Sequence, residues 1–430
     1  MIKRSSAGKV ISMCRVGLAG LAGAAMFAPA AAAQNLQDWL NQSTMTGDWN
    51  GARTRLANDG ITFKLGYVGE FAEAMSGGER QGNGYAQALY YGTHIDLGKL
   101  AGLDGTALEF AFNTHIGHSV SAEEIGNQLA VQEIYGGGET TRVTAISLEH
   151  TTFDKRLFLK AGFFVIGNEF AYSTLGCTFQ NLGFCAHPQN VSHSSGLANN
   201  PQGRWGGLVE LNVTPDLYVK AGVFDSNPTY TEHGNGLKVS LSGSTGALFP
   251  VELGYKVMQQ TLPGFYRVGG YYDTSRAQDV TSATEFDKGR FGFYFLAEQM
   301  LVSFGGPKRG LLDLTSVSYS DPSTATFRGS MSYGLIAQGT FAARPDDYIN
   351  IGYTRAILNQ RAIDAKETAS DGTLTDLSSG EGVIEAGYGF QATPWLMLHP
   401  NLQYVMNPGT FSYKHFPNAW VFGFTTKAKF

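Results

Sequence analysis

Long apolar runs are missing from this 430-residue sequence. After residue 33, no segment approaches the 18 consecutive apolar residues that indicate a membrane-spanning helix. A bundle of membrane helices is therefore excluded. Charged residues are also scarce, at 16% of the chain against about a quarter in ordinary globular domains. Only the stretch from Leu36 to about Asn58 has a helical or irregular pattern, which argues against a soluble enzyme built from amphipathic helices.

Motifs for catalysis and nucleotide binding are missing as well. The chain contains no HExxH, no GxSxG, no Walker loop and no GxGxxG after a buried strand. Paired carboxylates such as Glu123-Glu124 lie in loop sequence without a positioned partner. Because nothing nominates a nucleophile, we predict that the protein is not an enzyme.

Residues 1–33 have the organisation of a secretory signal peptide. Four basic residues and no acidic ones lie in this segment, an apolar stretch runs from Val16 to about Phe27, and Ala31-Ala32-Ala33 supplies an A-x-A cleavage site. The apolar stretch is shorter than the roughly 20 residues that a membrane anchor needs. We predict Sec-dependent export and cleavage after Ala33.

Charge and composition narrow the class of the exported chain. Cleavage would leave 27 basic residues against 36 acidic ones, and an acidic surface argues against nucleic acid as a partner. An exported chain without apolar helices is either a soluble periplasmic protein or an outer-membrane β-barrel. The 55 glycines, 28 phenylalanines and 20 tyrosines favour the barrel, in which glycine permits strand curvature and aromatic residues form interfacial girdles.

The last twelve residues alternate between apolar and polar side chains and end on Phe430. Successive side chains of a strand point to opposite faces, so this segment is a strand with an aromatic face and a face that carries Lys427 and Lys429. A final strand that ends on Phe is typical of outer-membrane barrels, and we expect the barrel-assembly machinery to recognise Phe430. The last strand of a soluble sandwich would show the same alternation.

About sixteen segments alternate in this way, which leaves about 25 residues for each strand with its connection. Their apolar faces are rich in aromatic residues, and ionisable residues recur on the opposite faces. The predicted strands are 62–71, 87–98, 106–116, 142–153, 157–165, 204–213, 217–225, 249–257, 265–274, 290–298, 311–320, 331–341, 348–358, 383–393, 396–406 and 419–430.

These features together predict an all-β, transmembrane antiparallel barrel over 61–430, preceded by a periplasmic helical segment over 34–60. A wide barrel turns its apolar rows toward lipid and surrounds water with its polar rows. Short turns are predicted at Thr214-Pro215-Asp216 and Thr393-Pro394-Trp395. The longer connections are expected to be external or inward-folding loops, and they lie at about 117–141, 166–203, 226–247 and 359–382.

Two cysteines, Cys177 and Cys185, remain after cleavage of the signal peptide. They lie eight residues apart in a Gly-, Asn- and Ser-rich stretch of an exported protein, which favours a disulfide. A metal site that uses both thiolates with His187 or His193 is the alternative.

Several blocks resemble the OprB family of carbohydrate-selective porins. The run Met45–Arg53 is similar to the opening motif of that family, and Cys177–Pro188 is similar to its cysteine-containing loop. Further similar blocks are the spaced run from Asn113 to Gly137, which contains Gln132-Glu133, and Leu262–Thr274, Arg344–Asp347 and Glu385–Gly409, so the resemblance extends in order over the mature chain.

The resemblance implies a sixteen-stranded outer-membrane channel that passes glucose and related monosaccharides down their gradient, without ATP or cofactor. It also implies a constriction of charged and aromatic residues. Thr114-His115-Ile116 departs from relatives that carry arginines at this point, which leaves the constriction charge and the preferred sugar open. Strand parity directs six candidate constriction residues toward the lumen: Glu70, Glu109, Asn113, His115, Arg204 and Glu210.

Alternative functions and roles remain open from the sequence. A general diffusion porin would have the same fold without sugar preference, and a barrel enzyme or adhesin would not conduct. Glu70 and Arg204 can form a cross-lumen salt bridge instead of contacting sugar, and His115 can simply line the lumen. The expected partners are monosaccharides, outer-membrane lipid and the assembly machinery, with a monomer or a homotrimer as the oligomeric state.

Overall fold

A computed structural model describes residues 36–135, 137–185, 187–257, 262–306 and 308–430. The predicted signal peptide, 1–33, lies outside the described residues. Within the described chain, sixteen antiparallel strands form one closed barrel. Each strand pairs with its sequence neighbours, and β1 closes the barrel against β16. The predicted fold class and strand number are confirmed.

The strands match the predicted segments to within a few residues at most ends. They are β1 Ile61–Ser76, β2 Gly82–Asp96, β3 Thr106–Gly117, β4 Thr140–Thr152, β5 Leu157–Phe164, β6 Arg204–Asn212, β7 Leu217–Ser226, β8 Gly246–Val257, β9 Gly264–Gln278, β10 Phe286–Ser303, β11 Gly310–Ser320, β12 Phe327–Gln338, β13 Tyr348–Leu358, β14 Gly380–Thr393, β15 Leu396–Met406 and β16 Ala419–Lys429.

Helices are short and lie in the connections. No helix of the described ranges combines the length and apolarity needed to cross a membrane. The α-helices are α1 Ala52–Asn58, α2 Leu97–Ala101, α3 Gln189–His193 and α4 Gln360–Ala369, with helical backbone also over 36–40. A π-helical turn spans Ser121–Ile125, and 3-10 turns span Glu133–Tyr135, Ile166–Asn168, Gly176–Thr178, Pro228–Thr231, His233–Asn235 and Thr410–Ser412.

The two faces of the wall have the chemistry that the alternation predicts. On β8, Val251 is 52% exposed on the outside, whereas its neighbour Glu252 is 1% exposed on the inside. On β13, Ile351 is 53% exposed and Asn350 is 1% exposed. Apolar rows outside and polar rows inside are the arrangement of a barrel that lies in lipid and contains water.

The connections alternate in length, which orients the barrel. Turns such as 153–156, 213–216 and 394–395 join strands at one end, and longer loops emerge at the other. Outer-membrane barrels place the short turns in the periplasm and the long loops outside the cell. The two longest loops, 118–139 (loop A) and 165–203 (loop B), fold into the barrel and pack against its inner wall.

Several strands extend beyond their predicted ends. β10 begins four residues earlier and ends five residues later than the predicted segment 290–298, and it contains two register shifts. Alternation fades where a strand leaves the bilayer, because both faces then contact water or loops, and a bulge breaks the period of two. Phe163 is an apolar residue of the predicted strand 157–165, yet it is 2% exposed because Trp205, Tyr230 and the loop after β7 cover it.

The N-terminal segment docks at the end of the barrel that has the short turns. Only 36–40 and α1 are helical within the stretch predicted as helical or irregular. The Trp39 ring lies 4.6 Å from that of Trp395, and the Met45 N–H donates to the Lys429 carbonyl at 2.8 Å. These contacts attach the segment to the β14–β15 turn and to the last strand.

Candidate functional site

Buried carboxylates of the wall hold loops A and B inside the barrel. Glu381 on β14 accepts hydrogen bonds from the backbone N–H groups of Gln128 and Leu129 at 2.9 and 2.8 Å. Glu385 lies four residues further along β14 and faces the same side as Glu381. It accepts hydrogen bonds from the N–H groups of Gln180 and Asn181 at 2.8 Å each. Each carboxyl group thus accepts two backbone N–H groups of one loop, which attaches both loops to β14.

The opposite side of the barrel uses the same device for loop B. Glu252 accepts from the N–H of Ala171 at 2.8 Å, and Asp273 accepts from the N–H of Gly196 at 2.6 Å. Glu298 accepts from the Ser173 hydroxyl at 2.6 Å. Loop B is therefore attached to β8, β9, β10 and β14, and it divides the lumen.

A polar cavity of about 600 Å³ lies between the two loops and the wall. Its volume is in the range of pockets that hold small organic ligands. Most of its lining groups are amides, hydroxyls and guanidinium groups, which can exchange hydrogen bonds with a polyhydroxylated solute. The polar lining includes Gln128, Glu133, Gln189, Ser192, His193, Asn199, Asn200, Gln202, Arg204, Asn227, Thr231, Thr245, Arg276 and Arg290.

An acidic side chain from a loop and a basic side chain from the wall face this cavity. Glu133 of loop A lines the cavity, and burial raises the pKa of its carboxyl group. Arg204 on β6 also lines it, with its Cζ atom 5.3 Å from the centre of the Tyr230 ring. The neighbouring Arg142 donates to the carbonyl oxygens of Tyr230, Thr231 and Glu232. Within the described residues, neither arginine forms a salt bridge.

Two of the six predicted constriction residues, Glu70 and His115, are almost completely buried. Glu70 points inward but is 0% exposed, because loop A lies over it and the Ile134 N–H approaches its carboxylate at 3.4 Å. Glu70 therefore does not line the water-filled path, and its position is that of a loop anchor. His115 also points inward and is 3% exposed.

The other four residues take part in polar networks of the inner wall. Asn113 donates to the Asn200 side chain of loop B at 2.5 Å, and Arg204 lines the cavity. Glu109 contacts Lys64 at 2.7 Å and Lys160 at 3.7 Å, whereas Glu210 contacts Lys220 at 2.9 Å. The structure thus brings Asn113 and Arg204 to the loop B region and places Glu109 and Glu210 in ion pairs. Contact of any of the six with sugar stays a prediction.

Strand parity missed the cavity residues that lie in loops. Glu133, Asn199 and Asn200 belong to loops A and B, where the period of two no longer indicates direction. Arg290, by contrast, begins the predicted strand 290–298, and its guanidinium lies 3.1 Å from the Asp273 carboxylate. The Glu133 region is part of a block that resembles the porin family, which was the only sequence signal for it.

Cys177 and Cys185 form the predicted disulfide within loop B. The bridge encloses Gln180 and Asn181, the two residues whose N–H groups bind Glu385. The alternative metal site is not supported, because the described residues contain no group of three or more His, Cys, Asp or Glu side chains placed to hold a metal ion.

Removing the disulfide is expected to destabilise the protein without unfolding the barrel. Closing so short a loop contributes about 2–3 kcal/mol in the chain-entropy description. We expect the Cys177→Ser/Cys185→Ser variant to lose about this much free energy of unfolding in urea titrations in detergent. Wild-type protein treated with a reductant should match it, and an unchanged midpoint would contradict the prediction.

Loop B also contains a buried histidine, His187, whose pKa differs from that of an exposed histidine. Burial lowers its pKa to about 4 from an ordinary value near 6.5. The unfolded chain therefore binds this proton more readily, and the contribution of neutral His187 is complete above pH 6.5 and lost as the pH falls toward 4. The difference corresponds to about 3 kcal/mol.

We expect the free energy of unfolding to fall by about 3 kcal/mol between pH 7 and pH 4 through this residue alone. His187→Gln, which does not titrate, should lose correspondingly less over that interval. The measurement is urea unfolding at both pH values, with His233→Gln as the control because His233 lies in an exposed external loop. Equal acid sensitivity of wild type and His187→Gln would refute the assignment.

A closed sixteen-stranded barrel with an apolar exterior and inward loops around a polar cavity defines the porin class of outer-membrane channels. The family model for "Carbohydrate-selective porin, OprB family" matches residues 80–430. Porin B of Pseudomonas aeruginosa is 35% identical over 401 residues, which cover 86% of this chain and 88% of Porin B. The chain belongs to the OprB family.

Other relatives agree with this assignment. The high-pH structure of Pseudomonas putida OprB has a TM-score of 0.85 and 32% identity, and covers 91% of this chain and 99% of its own. The low-pH structure of the same porin has a TM-score of 0.61 and 26% identity over the same shares. The putative porin QuiX of Acinetobacter baylyi is 29% identical over 90% of this chain and 93% of its own.

Proposed function

We propose that this barrel passes glucose and related monosaccharides across the outer membrane by passive diffusion. The observation that carries the proposal is the polar cavity between loops A and B in a chain of the OprB family. A sugar that enters the cavity exchanges hydrogen bonds with water for hydrogen bonds with amides, hydroxyls and guanidinium groups. Binding must be weak, since a tightly held solute would leave too slowly.

The proposed contacts follow from the placement of the residues. Arg204 and Glu133 are the charged groups proposed to contact sugar, and Asn113 positions Asn200 beside the path. Glu109 and Glu210 tune the charge of the inner wall through their lysine partners. Glu70 acts through loop A, which it holds in place, and His115 supports the wall.

Liposome swelling tests the proposed selectivity. Proteoliposomes are challenged with hexoses, disaccharides and size-matched charged solutes, and we expect the hexoses to enter fastest. Equal rates for solutes of equal size would identify a general diffusion porin, which is the second candidate because it has the same fold. Absence of any swelling would refute the channel function. It is the result expected of a barrel enzyme or an adhesin, neither of which conducts solutes.

The path to the membrane is proposed from the sequence. We infer that the signal peptide, 1–33, directs Sec export, that 34–60 lies in the periplasm, and that the assembly machinery recognises Phe430. Pulse labelling of a form that lacks Phe430 should show slower insertion into the outer membrane, and an unchanged rate would remove that role. We also propose that the barrel contacts outer-membrane lipid and is a monomer or a homotrimer. Native mass spectrometry tests both proposals, because the mass of the complex gives the number of chains and of retained lipids.

A further inference from the structure

The outer face of β4–β7 contains an apolar furrow of about 600 Å³. Ala161 on β5 and Gly207 on β6 are register partners. Because alanine has only a methyl group and glycine has no side chain, these two positions form the floor of the furrow. Leu148 on β4 pairs with Ala161, and Val223 on β7 pairs with Gly207, so large side chains stand on both sides. Both are close to half exposed, at 46% and 48%.

The furrow continues toward the periplasmic turns. Ala221 pairs with Val209 one row nearer to those turns, and it extends the floor of small residues. Ala161 lies five residues after Arg156 of the β4–β5 turn, which is about 16 Å along the strand, and a strand tilt of about 45° reduces this to about 12 Å along the membrane normal. Half of the hydrocarbon core of a bilayer measures about 15 Å. The furrow therefore lies in the leaflet that faces the periplasm.

A cationic rim lies at the periplasmic end of the same strands. Lys155 and Arg156 line a cavity of about 640 Å³ between the β4–β5 and β6–β7 turns. Arg156 donates to the carbonyl oxygens of Asn212 at 3.4 Å and Val213 at 3.2 Å, which joins the two turns. Asp154 lies in the same cavity, so two cations face one carboxylate. Lys155 and Arg156 are both exposed.

We propose that this face binds an anionic phospholipid of the periplasmic leaflet. An acyl chain occupies the furrow, and the headgroup phosphate contacts Lys155 and Arg156. The occupant follows from two matches, namely an apolar floor at the depth of acyl chains and a net positive rim at the depth of phosphates. The site lies outside the lumen and does not depend on the proposed sugar passage.

Native mass spectrometry tests the site on the mature protein, with phosphatidylglycerol and phosphatidylcholine as probes. We expect one phosphatidylglycerol to be retained in preference to phosphatidylcholine. Lys155→Ala should weaken its retention about fivefold, because a basic residue near a membrane surface contributes about that factor in affinity. Ala221→Leu, which fills the furrow with an apolar side chain, should weaken retention at least as much.

Matched controls separate this site from general lipid contact. Lys308→Ala removes an exposed cation from another periplasmic turn, and Ala386→Leu enlarges an outward-facing residue on β14. Both should retain lipid as the wild type does. Equal retention of the two lipids, or unchanged retention in Ala221→Leu, would overturn the proposal. Dimers or trimers that lose their contacts in Ala221→Leu would instead show that a second copy of the chain covers this face, and would also overturn it.

Discussion

Replacing Glu385 with alanine is expected to release part of loop B and to widen the channel. Glu385 is 0% exposed and accepts two backbone N–H groups, those of Gln180 and Asn181, at 2.8 Å. Leaving a buried N–H group without its acceptor costs about 1–3 kcal/mol, so loop docking should weaken by about 2–6 kcal/mol. The variant leaves both N–H groups without this acceptor in a buried position.

Two measurements follow the release of loop B in Glu385→Ala. Hydrogen exchange at Gln180 and Asn181 should accelerate strongly, and disaccharides should enter proteoliposomes at rates closer to those of hexoses. Glu73→Ala is the control, because Glu73 is an exposed carboxylate of β1 and its removal leaves loop B attached. Wild-type exchange together with wild-type selectivity in Glu385→Ala would show that loop B does not depend on this anchor.

Replacing Arg204 with alanine is expected to weaken sugar block of the ion current about tenfold or more. Arg204 lines the cavity, and its Nε–H group has no hydrogen-bond partner among the residues that the structure describes. A hydrogen bond from a charged donor to a sugar hydroxyl contributes about 1.5–3 kcal/mol, and 1.4 kcal/mol corresponds to a factor of ten. Removing the charge should also shift the ion preference of the channel toward cations.

Planar-bilayer recordings with increasing glucose give the half-blocking concentration for each Arg204 variant. Arg204→Lys should fall between wild type and Arg204→Ala, because lysine keeps the charge and loses the planar fork of donors. Arg328→Ala removes a partly exposed arginine that donates to the Tyr319 hydroxyl and does not line the cavity, and it should behave as wild type. An unchanged half-blocking concentration in Arg204→Ala would remove Arg204 from the proposed sugar contacts.

Local alternation in the sequence was sufficient to predict the barrel wall. The bounds of β13 and β15 agree with the predicted segments at both ends, and the outward rows are apolar as expected. A strand in a barrel has one lipid face and one inner face, so the alternation within a segment indicates which of its residues face lipid. Parity also directed Arg204 and Asn113 inward without any knowledge of their neighbours.

The lining of the passage was not predictable in the same way. Glu70 and Arg204 share the inward parity, yet loop A covers the first and leaves the second at the cavity. Glu381 and its partner Gln128 are 253 residues apart in the chain, so no local pattern relates them. Loops have no fixed period, and their course depends on which wall carboxylates receive their N–H groups.

The sequence by itself determined the sixteen strands, the face of most residues within them and the family resemblance, because each is encoded by neighbouring residues. Only the tertiary structure decided which inward residues remain at the cavity, how loops A and B narrow it, and where small residues align into a furrow across strands. Those features arise from contacts between segments that are distant in the chain, and the free energy of such contacts depends on the complete barrel.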